Sequence, residues 1–163
     1  MVTFNALGQD SVKIYESQGM EKLVKKEYTA SITFFTKAIK INQNYQYAWY
    51  ERGLAKLKLK DYNNAIMDFN KAIKIDSNYV YAYEKRGIIN GIIGNYDRAF
   101  KDFNNAIRMG GSGSIYMNRG ILRYKTKDFN GALKDFDNCI LILENQSDQQ
   151  GINRYEVYYY KGL

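Results

Sequence analysis

The residues that most often carry catalysis are nearly absent from this sequence. Its 163 residues include no histidine and one cysteine, Cys139. Without histidine the chain cannot build a Ser-His-Asp or Cys-His nucleophile pair, and it lacks the usual nitrogen and sulfur ligands of zinc. Paired carboxylates remain open as chemistry, but the 17 Asp and Glu residues recur at positions that a structural repeat explains better. We therefore predict a protein that is not an enzyme, with no catalytic residue, metal site or cofactor.

The composition predicts a folded chain. It is 45% apolar and 15% aromatic, enough for a sizeable core and too apolar for a disordered chain. No stretch approaches the roughly 18 apolar residues of a membrane span, and the first residues do not resemble a signal peptide. A single cysteine fits a reducing compartment, so we expect an intracellular, cytoplasmic protein. The net charge of +7 could attract nucleic acid or acidic peptides.

A repeat runs through most of the chain. The segments "KAIKIN", "KAIKID", "NAIRMG" and "NCILIL" begin at residues 37, 71, 105 and 138, so the spacings are 34, 34 and 33 residues. Other repeated positions obey the same spacing. They are the glycines Gly19, Gly53, Gly87 and Gly120, the aromatics Tyr28, Tyr62, Tyr96 and Phe129, and the phenylalanines Phe35, Phe69, Phe103 and Phe136.

The apolar residues inside each unit follow the three-and-four spacing of a helix face. In "YNNAIMDFNKAIKI" this face holds Tyr62, Ala65, Phe69 and Ala72. Short polar turns such as "KD" separate two such segments, and we expect their acidic or amide residue to cap the next helix. Each unit is therefore predicted to be two helices of about 13 residues, joined tightly.

This pattern resembles the tetratricopeptide repeat, a 34-residue helix–turn–helix unit. The second unit carries its marker residues as Trp49, Gly53, Tyr62, Ala65, Phe69 and Ala72. The resemblance implies an all-α fold, a right-handed α-solenoid. The predicted divisions are a lead-in (1–11), four units (12–45, 46–79, 80–112 and 113–146), an inserted loop (147–154) and the first helix of a truncated fifth unit (155–163). The family's proline is absent, so we expect longer or more frayed helix ends.

Small residues recur because helix axes approach to about 8 Å only where side chains are small. We expect each repeated phenylalanine to fill the space beside the repeated glycine. Cys139 lies at a small-residue position and is predicted to be a buried substitute for alanine. Lysines recur on the second helices, at Lys37, Lys40, Lys71, Lys74 and Lys101, and are predicted to form a solvated outer face.

A second pattern pairs charges within units. Arg52, Arg86 and Arg119 each precede the glycine, and Asp68, Asp102 and Asp135 each follow the arginine by 16 residues. In the first unit both are replaced, by Gln18 and Phe34. We predict that the arginine of one helix forms an ion pair with the aspartate of the next.

The family resemblance implies that peptides bind the concave wall formed by the first helices, through the second, fifth, ninth and twelfth residues of each unit. We call this wall the inner face. The candidate binding residues are Tyr47, Tyr50, Leu54, Tyr81, Glu84, Ile88, Met117, Ile121 and Tyr124. Some of them could instead only contact neighbouring units.

The function predicted is a protein–protein interaction scaffold that binds a hydrophobic or amphipathic segment. Relatives that clamp the carboxylate of chaperone tails carry lysine and asparagine at the fifth and ninth residues. Here those positions hold Glu16 and Met20, or Tyr50 and Leu54, so no clamp is expected. The alternative is a nucleic-acid-binding helical repeat that uses the basic surface.

The C-terminal segment "RYEVYYYKGL" fits the repeat register. Tyr158 takes the large aromatic position and Gly162 the glycine position. We expect Tyr158 to pack on the fourth unit and Tyr159 to extend the inner face. A partial unit indicates a piece of a longer array, and it could also mediate self-association.

Overall fold

The computed structural model describes residues 2–145 and 154–162, with the side chains of 8–145 and 157–162. These ranges contain only helices and turns. Their bounds, in chain order, are α1 Val2–Val24, α2 Tyr28–Ile41, α3 Gln46–Lys58, α4 Tyr62–Ile75, α5 Val80–Ile92, α6 Tyr96–Arg108, α7 Gly113–Lys125, α8 Phe129–Asn145 and α9 Arg154–Lys161.

The chain divides into two compact units, unit A (residues 1–85) and unit B (residues 86–163). In unit A, α1 packs on α2, α2 on α3 and α3 on α4. In unit B, α6 packs on α7, α7 on α8 and α8 on α9. Consecutive helices therefore pair in each unit, as the repeat predicts. The predicted lead-in is part of α1, and most of the predicted loop (147–154) lies outside the described residues.

In each of the four repeats the glycine of the first helix lies directly against the phenylalanine of the second. A Cβ added to Gly53 would lie 2.8 Å from Cε1 of Phe69, and one added to Gly120 would lie 2.6 Å from the same atom of Phe136. Gly19 and Gly87 meet Phe35 and Phe103 in the same way. All four phenylalanines are buried. The prediction that glycine allows close approach and phenylalanine fills the adjoining space is confirmed.

The turns inside the repeats correct our expectation of helix capping. Glu27, Asp61 and Asn95 precede α2, α4 and α6, but none caps its helix with its side chain. Their ψ angles of 62–69° are far from the extended geometry of a capping residue. Only in the fourth turn does the expected bond form, where Asp128 Oδ1 accepts from the Gly131 N–H at 3.0 Å.

These turns are instead closed by backbone hydrogen bonds. The Asp61 N–H donates to the Lys56 carbonyl at 2.9 Å and the Lys60 N–H donates to Leu57 at 2.9 Å. This pair of bonds is a Schellman motif, which requires a left-handed residue at its centre. Lys60 has φ 60°, and Gly94 occupies the same place in the third repeat with φ 84°. The preceding helix, not the following one, therefore determines the turn.

The three predicted ion pairs are confirmed. Arg52 donates to both oxygens of Asp68 at 2.9 and 2.8 Å, and Arg119 does the same to Asp135 at 2.9 and 2.6 Å. The third pair joins Arg86 and Asp102 at 3.0 and 2.6 Å. The aspartates are buried. Each of these repeats thus joins its two helices with a two-pronged, charge-assisted bond.

The fourth repeat packs on the C-terminal helix α9. Val157 is buried in one core cluster with Met117, Phe136 and Cys139, and Tyr160 stacks on Phe136 with ring centroids 5.8 Å apart. Cys139 is buried, and burial raises the pKa of its thiol to about 11, so the prediction of a buried alanine substitute is confirmed. Tyr158 lines a small cavity with Ile140 and Leu143, and Tyr159 is 78% exposed.

Candidate functional site

Five tyrosines cluster around α3 in unit A. Tyr45 and Tyr47 have ring centroids 5.9 Å apart. Tyr50 lies 5.2 Å from Tyr79 and 6.4 Å from Tyr81, and the last two rings are 6.1 Å apart. Edge and tilted contacts of this kind are the favourable arrangements of aromatic rings. We call these five residues the tyrosine cluster.

Local sequence explains how the cluster forms. The stretches "NYQYA" and "NYVYA", at 44–48 and 78–82, stand 34 residues apart. Each places one tyrosine just before a first helix and one at the second position inside it. Tyr50 lies one turn further along α3, where it also contacts the buried Phe69 at 5.7 Å. A repeated motif and the packing of α3 on α4 therefore bring the rings together.

Acidic side chains lie among these rings. The Tyr45 hydroxyl donates to Glu16 Oε2 at 2.7 Å, and the Tyr47 hydroxyl lies 3.4 Å from Met20 Sδ. Glu51 is 6% exposed, and its Oε2 has no hydrogen-bond partner among the described residues. Burial raises the pKa of Glu51 to about 7, the Tyr47 hydroxyl opposes this rise, and the Glu16 charge adds to it. The cluster therefore contains two carboxyl groups, and Glu51 becomes negatively charged as the pH rises through about 7.

Burial also raises the pKa values of the tyrosines. The pKa of Tyr47 rises to about 12, mainly by burial and then by the charge of Glu51. The pKa values of Tyr50 and Tyr79 rise further for the same two reasons. At neutral pH the hydroxyl groups of these tyrosines are therefore protonated and can donate hydrogen bonds.

The nine candidate binding residues differ widely in exposure. Tyr81 and Tyr124 are 60% and 48% exposed, and four more are partly exposed, namely Tyr47, Leu54, Ile88 and Ile121. Tyr50, Glu84 and Met117 are buried. Any direct contact with a partner would fall on the first six, while the buried three support them. Sequence reasoning missed Tyr45, Tyr79 and Glu51, although the repeated "NY" before each first helix could have revealed the two tyrosines.

In unit B the candidate residues line an apolar groove. Ile88, Gly91, Phe103, Ile121 and Leu122 border a cavity of about 220 Å³. Tyr124 does not line this cavity but contacts two other aromatic rings. Its ring centroid lies 5.5 Å from that of Phe129 and 6.0 Å from that of Tyr160. This part of the predicted inner face is aliphatic, whereas the part in unit A is aromatic and acidic.

The predicted outer lysines are solvated. All five lie on the second helices α2, α4 and α6 and are exposed, namely Lys37, Lys40, Lys71, Lys74 and Lys101. In the described part of the chain no three acidic or thiol side chains gather as a metal site. Within that same part no helix is both long and apolar enough to cross a membrane.

Comparison with known proteins identifies the class of this fold. A family model described as the tetratricopeptide repeat matches residues 47–79. The TPR domain of Arabidopsis OM64 is 25% identical, with a TM-score of 0.70, and the match covers 72% of this chain and 98% of that one. MamA is 20% identical with a TM-score of 0.78, covering 85% and 81%. No curated protein sequence matches significantly.

Residues 47–79 of the chain thus match the tetratricopeptide repeat, and its fold is that of TPR proteins. Its predicted all-α solenoid of helix–turn–helix units is thereby confirmed. A further similar structure is the second TPR of Spaghetti (RPAP3) bound to the HSP90 peptide SRMEEVD. It is 23% identical, with a TM-score of 0.61, and the match covers 64% of this chain and 98% of that one.

Proposed function

We propose that this chain is a non-catalytic scaffold that binds a hydrophobic or amphipathic peptide segment of a partner protein through the inner face of its first helices. The observation that carries this proposal is the tyrosine cluster, in which Tyr81 and part of Tyr47 stay accessible on first helices. Tyr81 is 60% exposed beside the half-buried Tyr47. Tyrosine is enriched at binding surfaces because it supplies contact area and a hydroxyl at little entropic cost.

Similar structures support the same class of function. The second TPR of Spaghetti (RPAP3) holds a peptide, so a fold of this kind can serve as a peptide receptor. In unit B the cavity beside Ile88 and Ile121 offers an apolar surface of the type that takes an aliphatic side chain.

For the chemistry of the ligand, we propose that a chaperone-type carboxylate clamp is not assembled. The fifth and ninth residues are Glu16 and Met20 in the first repeat and Tyr50 and Leu54 in the second, where a clamp needs lysine and asparagine. Above about pH 7 Glu51 is ionised as well, and its negative charge repels an acidic peptide tail. We expect the peptide SRMEEVD to show no binding up to about 1 mM, a limit of roughly 4 kcal/mol. Micromolar binding by fluorescence polarisation would contradict the proposal.

Selection from a displayed random-peptide library tests the scaffold function directly. The wild-type chain is the bait, and selected peptides are then measured on a Tyr47→Ala/Tyr81→Ala variant. A matched control is Met67→Ala, which removes an exposed apolar side chain (63% exposed) from the second helix α4. We expect at least a tenfold loss on the tyrosine variant and none on the control.

Two results would refute this proposal. Either no peptide is enriched, or the enriched peptides bind the folded tyrosine variant as well as wild type. Circular dichroism establishes that each variant is folded. Titration with single-stranded RNA at two salt concentrations tests the nucleic-acid alternative, since tight binding that weakens steeply with salt would favour it.

A further inference from the structure

Glu51 is the one described residue with a buried side-chain atom that lacks a hydrogen-bond partner. It is 6% exposed on α3. An unsatisfied buried acceptor is costly and uncommon in native proteins, so its retention calls for an explanation. A donor supplied by a bound molecule would remove the cost.

The groups around Glu51 identify what kind of donor fits. Glu16 faces it from α1, Tyr47 and Tyr50 flank it on its own helix, and Tyr79 faces it from the segment before α5. Other charged groups near the cluster are Glu84, which pairs with Lys85 at 3.1 Å, and Lys13, which lines a cavity with Glu16. In the described part of unit A, neither Glu16 nor Glu51 forms an ion pair.

Two features of these surroundings favour a cation over a neutral donor. The carboxylates of Glu16 and Glu51 repel each other, and a positive charge between them relieves that repulsion. The ring faces of tyrosines attract cations within about 6 Å. A carboxylate enclosed by aromatic rings is therefore suited to an ammonium or guanidinium group.

Access to the cluster is available from its edge. A cavity of about 500 Å³ is lined by Val12, Glu16, Ile41 and Tyr45, among others. Because Oε2 of Glu51 has no exposed surface, an incoming cation reaches it only if a neighbouring side chain, such as that of Tyr47, moves. Tyr47 is only half-buried, and rotation of its side chain leaves the helices in place.

We propose that the tyrosine cluster, with Glu51 as counter-ion and Glu16 beside it, binds a lysine or arginine side chain of the partner segment. This inference rests on the proposed function, since it gives the chemistry of one ligand side chain on the same inner face. A partner segment then combines this basic residue with the apolar residues expected elsewhere on the face.

Single-residue probes test the inference without a known partner. The probes are N-acetyl-lysine methylamide, its arginine counterpart, and the norleucine analogue, which has the same aliphatic stem without charge. Binding is followed by NMR through the Met20 methyl and tyrosine ring signals. We expect the lysine or the arginine probe to bind at least tenfold more tightly than norleucine, and their ratio tells which cation fits.

Two variants separate the role of Glu51 from general effects of charge. Glu51→Gln should weaken the cationic probe at least tenfold, whereas Glu21→Gln, the same change at an exposed position of α1, should not. Wild-type affinity should rise about tenfold between pH 6 and 8 as Glu51 loses its proton, and Glu51→Gln should abolish this dependence. If Glu51→Gln fails to fold, Glu16→Gln serves in its place with a smaller expected loss.

Equal binding of norleucine and the cations, or no binding of either cation, overturns the inference. So does unchanged affinity in a folded Glu51→Gln variant. None of these results overturns the proposed function, which depends on the peptide selection. If selected peptides bind the tyrosine surface yet contain no basic residue, the scaffold function stands and the cation site fails.

Discussion

Replacing the buried ion pair of the third repeat tests how its two helices are held together. Asp102 is 3% exposed. Its carboxylate accepts from Arg86 Nε at 3.0 Å, from Arg86 Nη2 at 2.6 Å and from Asn90 Nδ2 at 3.1 Å. We consider Asp102→Leu, Arg86→Met and the two changes together.

The single change at Asp102 removes the acceptor of these three donor groups, two on Arg86 and one on Asn90. The Arg86 side chain is 20% exposed and regains some water, while Asn90 is 3% exposed and regains little. Breaking one partner of a buried pair costs about 3 to 5 kcal/mol, and the partial exposure of Arg86 places the loss at about 3 to 4 kcal/mol. The double change replaces the whole pair and leaves only Asn90, an expected loss of about 1 to 3 kcal/mol.

Urea unfolding followed by circular dichroism measures these losses, and hydrogen exchange in α5 and α6 localises them. Additive losses in the double variant, within about 0.5 kcal/mol, would refute the reasoning. Glu21→Ala is the control, because Glu21 and Lys25 form a pair at 2.6 Å whose side chains are more than half exposed. Its removal should leave the unfolding midpoint unchanged, as expected for an exposed pair.

Three further predictions can be tested by thermal or urea unfolding. Gly53→Ala should destabilise by up to about 2 kcal/mol, because its Cβ would meet Phe69 at 2.8 Å. The overpacking cost of about 1 to 3 kcal/mol is reduced by a helix-propensity gain of about 1 kcal/mol; a more stable variant would contradict this. Lys60→Gly should stabilise by about 0.5 to 1 kcal/mol by relieving a left-handed φ of 60°, and Gly94→Ala, at φ 84°, should do the reverse. The native pKa of Glu51 is about 7 against an ordinary 4.5, so the native state binds more protons between these pH values. The contribution of Glu51 to stability is therefore fully present below pH 4.5 and falls by about 1 to 3 kcal/mol as the pH rises through 7. Glu51→Gln should flatten this slope, and an unchanged slope would count against the assignment.

Much of the fold follows from the sequence because repetition supplies an internal alignment. Every repeat has a glycine and a phenylalanine equivalent to Gly53 and Phe69. The arginine and aspartate equivalent to Arg52 and Asp68 are either both present in a repeat or both absent. Contacts between helices can therefore be deduced from spacing alone. The helix-capping expectation at Asp61 failed because side-chain capping depends on a ψ angle that the Schellman turn at Lys60 sets.

The candidate site was less predictable. Helical register places a residue on one side of its helix, but it does not tell how far a neighbouring helix covers it. Tyr50 and Tyr81 both occupy inner-face positions, and the structure buries the first and exposes the second. Whether the inner face binds a partner stays a prediction.

By itself the sequence determined the period, the two-helix unit, the glycine–phenylalanine contacts and the ion pairs, because each depends on residues at constant separation. The tertiary structure decided which inner-face residues remain exposed and gathered Glu16, Tyr79 and Glu51 from separate elements. It also left Glu51 Oε2 buried without a partner among the described residues. Burial and pKa depend on everything packed around a group, and the spacing of residues along one chain segment does not contain that information.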